Sequence, residues 1–274
     1  MPAMNTDQLL STALDLVGWS ETPLDCAIHH PGTRINHVLL GLDVDAGMLF
    51  MARQLGYHAV IACQASGTGA LWDLYAQNRK YMIAAGVLPD AADAALQPGS
   101  ALLHVQSLET NYDRLPSVAR LLDQPFMSIR SPFAELSRRL IQEQVNAAVV
   151  GKPLARVGDI HDALMALPSF VAAKTEQLAP VNGWDVPAGK AVVAPLGSDL
   201  HVVKAYLAHG ADTVCCMDLP SEDVAYLLEE GPEGNILLLG RLASLSAGIV
   251  PYATALRAQG IEVSTFAGII GDKP

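Results

Sequence analysis

Aromatic side chains are scarce in this chain, at 5% of 274 residues, so its core must be assembled from Leu, Val, Ile and Ala. Charge is scarce too. Only 16% of residues are charged while 51% are hydrophobic, the reverse of the balance that keeps a chain disordered. Basic residues are the rarer sign, 17 against 28 acidic, giving a net charge of -11. A surface of that sign repels phosphate backbones, which excludes nucleic acid as a main partner. No apolar run approaches the ~18 residues that would span a bilayer. Cysteine is limited to Cys26, Cys63, Cys215 and Cys216, with no CxxC pair. The polar start, Met1 to Gln8, lacks the apolar region of a secretion signal. These features predict reduced thiols in a soluble cytoplasmic protein.

What is present is alternation. Leu9, Leu10, Ala13, Leu14 and Val17 fall at helical spacing behind Asn5 or Thr6 as cap. Residues 20–33, with Pro23, Pro31 and Gly32, read as a loop, including His29 and His30. A strand over 35–43, a helix over 46–55, a strand over 57–63 and a helix over 70–85 then follow. Helices are predicted at 90–108, 116–122 and 132–149, with a strand at 125–130. Residues 151–187 carry several Pro and Gly and read as the least regular part. Beyond them, strands at 190–195, 212–217, 235–240 and 261–266 alternate with helices at 199–209, 221–230 and 243–259. Such alternation specifies an α/β fold of parallel or mixed sheets with flanking helices. The expected division is an N-terminal α/β lobe over 1–150 and a C-terminal α/β lobe over 151–274.

Ligands in such sheets sit beyond the carboxyl ends of the strands. This singles out Asp43 to Asp45, Cys63 to Ser66, Arg130-Ser131, Leu196 to Ser198, Met217-Asp218 and Gly240-Arg241. Ser66-Gly67-Thr68-Gly69 joins a strand to a helix and could approach a phosphate. It lacks the third Gly and the acidic partner about 20 residues on that a dinucleotide site needs, so a plain turn is the stronger reading. Buried apolar roles are the simpler account of Cys63, Cys215 and Cys216. A nucleophilic Cys63 would need a base, for which His58 and His104 are the candidates. His104 with Asn111, Tyr112 and Asp113 reads as a solvated helix face.

Four stretches together resemble a known family: Val38 to Asp43 followed by a helix and Ala59 to Ala62; Asp212 to Val214; Asn235 to Gly240 with Ser246 and Gly248 in the next helix; and Gly260 to Val263. The chain is similar to the dinuclear-metal-centre hexameric proteins named after NGG-interacting factor three, also called GTP cyclohydrolase I type 2-like. The resemblance implies a two-lobed α/β fold, a ring-like homohexamer and two divalent metal ions held by His and carboxylate donors. Where the family pattern has its His-His-Pro, this chain has Cys63-Gln64-Ala65. Where it has His-x-x-x-Asp, the chain has Arg130 to Ala134. Where it has Gly-His-x-x-x-Glu or Asp, the chain has Gly240-Arg241 to Leu245. His29-His30-Pro31 looks like the missing motif but precedes the first predicted strand.

Two readings follow. One is a degenerate member with no cofactor, a non-catalytic scaffold or small-anion binder, with Asp43, Cys63, Gln64, Ser66, Arg130 and Arg241 as ligand-binding candidates. Arg is a permanent cation that suits an anion and repels a divalent metal. The other is a divalent-metal-dependent hydrolase with a metal site rebuilt from other residues, His29 and His30 folding back on Cys63 among them.

Overall fold

A computed structural model describes residues 3–66, 73–109, 112–173, 182–231 and 233–272. The chain is mixed α/β, as the alternation predicts, and it forms two compact units whose segments interleave. The first unit takes Met1–Leu74, Glu109–Leu136 and Gly248–Pro274; the second takes Tyr75–Leu108 and Ser137–Ala247.

The first unit opens with helix α1 (Thr6–Val17). Asn5 caps it by accepting from the Gln8 amide at 2.8 Å, while the Gln8 side chain accepts from the Asn5 amide at 2.9 Å. Gly18, in the left-handed region at φ +69°, ends it. Leu9, Ala13, Leu14 and Val17 make the buried stripe. Strands β1 (Ala27–His30), β2 (His37–Gly41), β3 (Ala59–Ala62) and β4 (Phe126–Ser128) follow, with α2 (Ala46–Gln54) between β2 and β3. Asp45 caps α2, as its position predicts, by accepting from the Met48 amide at 2.8 Å. Ala59, Val60, Ile61 and Ala62 are all buried, the mark of a parallel strand covered on both faces.

The sheet order is β1-β4-β3-β2-β8, where β8 (Glu262–Phe266) is the last strand of the chain. All neighbours are parallel except β1 and β4. Two expectations change here. Residues 20–33 are not all loop, because Ala27–His30 pairs antiparallel with β4 at the sheet edge. The division at residue 150 also differs from the packing, because β8 returns to pair with β2 from His37↔Glu262 to Gly41↔Phe266. Beyond β8, Asp272 accepts two hydrogen bonds from Arg257, both 2.7 Å, and one from Thr265 at 2.9 Å. The guanidinium holds the Asp272 carboxyl below the usual carboxylate range.

The second unit carries a three-stranded parallel sheet in the order β5-β6-β7, with β5 (Ala191–Ala194), β6 (Thr213–Cys216) and β7 (Asn235–Leu238). Helices α3 (Asp73–Ala84), α4 (Pro89–Glu109), α5 (Arg114–Leu122) and α6 (Ser131–Val149) occupy the middle of the chain. The segment 151–187 includes two short helices, α7 (Val157–Leu164) and α8 (Pro168–Ala172). Then α9 (Leu200–Ala208), α10 (Ser221–Glu230) and α11 (Arg241–Ala258) alternate with the strands. Val192, Val203, Tyr206, Val214, Cys216 and Ile236 form the centre of this unit's core, joined by Met82 of α3 and Leu96 of α4. Among the described residues no helix is long and apolar enough to cross a membrane.

Candidate functional site

In the first unit two buried groups, Cys63 and Asp25, stand at the strand ends. Cys63 follows β3 and is 2% exposed, its amide donating to Gly41 O at 2.8 Å. Burial, with the Asp43 carboxylate adding to it, raises the Cys63 thiol well above its ordinary range. That is the environment of an inert thiol. Its suggested base His58 stands before β3 while Cys63 stands after it, with a four-residue strand between them. At about 3.3 Å per residue the two ends are far beyond hydrogen-bond reach. The other candidate base, His104, is an exposed residue of α4 in the second unit. Burial likewise raises Cys26 and Cys216, and pushes Cys215 up to about 12.

Arg130 follows β4, and its Nη1 lies 3.6 Å from Asp25 Oδ2. Asp25 is fully buried and also accepts from Ser131 Oγ at 2.6 Å and from the Cys26 thiol at 3.5 Å. The cation proposed from sequence as an anion ligand thus already faces a carboxylate of its own unit. Asp25 was missed from sequence because nothing local marks it: it stands in a Pro-rich stretch with no motif and meets residues 130 and 131 only through the β1–β4 pairing. Asp43 is exposed, and Gln64 and Ser66 are half-buried beyond β3. Gly67, Thr68, Gly69 and Asn111 lie outside the described residues.

His29 stacks on Phe126 with ring centroids 5.1 Å apart, and its Nε2 lies 2.9 Å from Ser128 Oγ. Burial first, and the Arg120 charge second, lower its pKa. In the sheet order β4 lies between β1 and β3. His29 is therefore two strand spacings, roughly 10 Å, from the strand that leads to Cys63, and it does not fold back onto that thiol. His30 pairs instead with Asp123 at 3.1 Å.

The second unit presents a more open arrangement. The ends of its three strands converge as the parallel-sheet rule predicts: Gly197 and Ser198 after β5, Asp218 after β6, Gly240 and Arg241 after β7. They line a cavity of about 620 Å³ together with Tyr75, Gly99, Asp199 and Pro220. Gly197 and Gly240 sit at φ +77° and +85°, conformations that glycine adopts without strain. Asp218 Oδ1 accepts from the Gly197 amide at 3.0 Å and fastens two of the loops together. Asp199 caps α9 through the Val202 amide at 3.1 Å. A Cβ at Gly99 would stand 2.8 Å from the Tyr75 hydroxyl and 3.0 Å from Asp199 Oδ2, so the bare α4 backbone leaves both groups room. Tyr75, Gly99 and Asp199 were not singled out from sequence; only Asp199, as a helix cap, carried a local signal.

A crystal structure of a NIF3 superfamily protein from Sphaerobacter thermophilus is 34% identical to this chain, with a TM-score of 0.93, over 98% of this chain and 100% of that one. This chain belongs to the NIF3 superfamily. The fold is shared more distantly, at 11% identity, with reduced HcgD from Methanocaldococcus jannaschii (TM-score 0.59, 96% of this chain and 98% of that one). A Bacillus cereus protein related to NIF3 is also 11% identical (TM-score 0.53, 97% of each chain). No protein-family model and no curated protein matches the sequence.

The resemblance to dinuclear-metal proteins calls for imidazole and carboxylate donors. At the corresponding positions this NIF3 superfamily chain offers the buried thiol of Cys63, the amide of Gln64, the methyl of Ala65 and the guanidinium groups of Arg130 and Arg241. Among the described residues no three His, Cys, Asp or Glu side chains are grouped as a metal site would need. This donor set does not fit a pair of divalent cations.

Proposed function

We propose that this NIF3 superfamily protein is a non-catalytic scaffold and small-anion binder without the dinuclear metal site that the family resemblance implies, assembled as a ring-like homohexamer. The observation that carries the reading is the cavity at the ends of β5, β6 and β7, into which Arg241 brings a permanent positive charge where the family pattern has a histidine. Three helices, α9, α10 and α11, begin at this rim. The positive ends of helix dipoles favour an anion there. Asp199 and Asp218 each spend an oxygen on a backbone amide, and they suit a ligand whose anionic group is joined to hydroxyl or amine donors. For the alternative of a metal-dependent hydrolase with a rebuilt site, the described lining of this cavity offers these two carboxylates, whereas a catalytic zinc takes three protein ligands.

The test combines metal and anion measurements on the same protein. Elemental analysis after dialysis against zinc, manganese and iron salts is expected to show substoichiometric metal in a protein that stays folded and oligomeric by light scattering. Calorimetric titration with inorganic phosphate is expected to show binding that Arg241→Gln weakens by about tenfold, the size of one charge-assisted hydrogen bond. Retained stoichiometric metal overturns the reading in favour of a rebuilt hydrolase site. Phosphate affinity unchanged in the variant removes Arg241 as the anion ligand.

A further inference from the structure

The second unit has another cavity, of about 560 Å³, at the amino end of β5. Its walls are the last turn of α3 (Tyr81, Ala84) with Ala85 just beyond it, one face of α6 and the chain entering β5 from Gly189 to Val192. Arg138, Gln142, Asn146 and Val149 of α6 follow one another at helical spacing, so a single face of that helix supplies them.

Two cations line this space. The Arg138 guanidinium carbon lies 4.6 Å from the Tyr81 ring centroid, a cation–π contact that orients it. Lys190 Nζ donates to Ala85 O at 3.3 Å, just past the end of α3, where the helix dipole favours a positive charge. Among the described lining residues none is acidic, in a chain whose net charge is -11. The backbone beneath Lys190 is fixed. Gly189 is at φ +55°, and a Cβ there would run into the Asp212 carboxylate, which accepts from the Lys190 amide at 2.7 Å. Gln142 is fixed as well: its carbonyl oxygen accepts from the Val193 amide at 2.8 Å, and its nitrogen donates to Asn146 Oδ1 at 2.9 Å and Ala191 O at 3.3 Å. The remaining walls are alanine and valine side chains. A volume in the range of about 300–1,000 Å³, mostly apolar and with a few placed polar groups, is the description of a small-molecule site.

We propose that this cavity binds an organic anion with an apolar body, its carboxylate or phosphate held between Arg138 and Lys190 and its apolar part against the Ala and Val walls. The site is separate from the strand-end cavity and does not depend on Arg241. Calorimetric titration of the full chain with hexanoate, hexyl phosphate and hexylammonium tests it. Both anions are expected to bind, and hexylammonium is not. Measured in an Arg241→Gln background, so that the strand-end cavity does not contribute, Arg138→Gln and Lys190→Gln should each weaken anion binding by about tenfold. Lys190 is exposed, so its variant keeps the fold and the test stands even where the Arg138 variant is unstable. A preference for one anion over the other identifies the headgroup and supports the site either way. The proposal is overturned if neither anion binds at millimolar concentration, if hexylammonium binds as well as hexanoate, or if Lys190→Gln leaves the affinity of both anions unchanged.

Discussion

Replacing Asp25 by Ala is expected to lower the unfolding free energy by about 3–5 kcal/mol, the cost of removing one partner from a buried ion pair. Asp25 is fully buried, and Arg130 is only 16% exposed. The variant would leave that guanidinium without its anion, and the Ser131 hydroxyl, within a residue only 5% exposed, without its acceptor at 2.6 Å. Urea melts read the effect directly. A loss below about 1 kcal/mol, the level of a solvent-screened pair, would show that Asp25 is not the anchor of these strand ends. The same variant bears on Arg130 as an anion ligand. With its own carboxylate gone, Arg130 should take up phosphate from solution, so added phosphate should recover part of the lost stability in the variant and little in the parent.

Tyr252→Ala is expected to cost about 3–5 kcal/mol by leaving a large cavity. Tyr252 is fully buried in α11, its ring centroid 4.9 Å from that of Phe133, and its hydroxyl donates to Leu9 O at 3.0 Å. Tyr252→Phe separates the two contributions. Keeping the ring and losing only the hydrogen bond should cost about 1 kcal/mol. An Ala variant no less stable than the Phe variant would mean that the ring's packing contributes little. Both losses are large beside a total stability of about 5–15 kcal/mol for a typical domain.

Element by element, the fold was largely legible because its signals are local. Helix α10 starts and ends where its pattern does, at Ser221 and Glu230, and β3, β5 and β6 are short apolar runs bounded by turns. What escaped the sequence was non-local. Strand β1 has Ala-Ile-His-His between Pro23 and Pro31, with all four residues only half-buried, so neither apolar run nor alternation marks an edge strand there. The unit boundaries at Leu136/Ser137 and Ala247/Gly248 fall inside the continuous helices α6 and α11, where no linker composition can announce them. For the site, the strand-end rule named Gly197, Ser198, Asp218, Gly240 and Arg241 among the candidate positions, alongside Asp43, Cys63, Gln64, Ser66 and Arg130. It could not supply the pairing of Asp25 with Arg130, or the shared cavity wall of Arg138 and Lys190, because those depend on tertiary packing between segments distant in the chain.

The pairing of β2 with β8 sets an order on synthesis. Strand β2 leaves the ribosome long before residues 262–266, which form one of its two neighbours in the sheet. All the segments of the second unit have been made by Ala247. The unit that begins later in the chain can therefore finish folding first, while the earlier β2 waits with an open edge, the kind of exposed strand that invites wrong partners. Released chains truncated just before residue 262 should protect β5 and β6 from hydrogen exchange and leave β2 open. Equal protection of β2 at that length would mean that its edge is covered before its final partner exists.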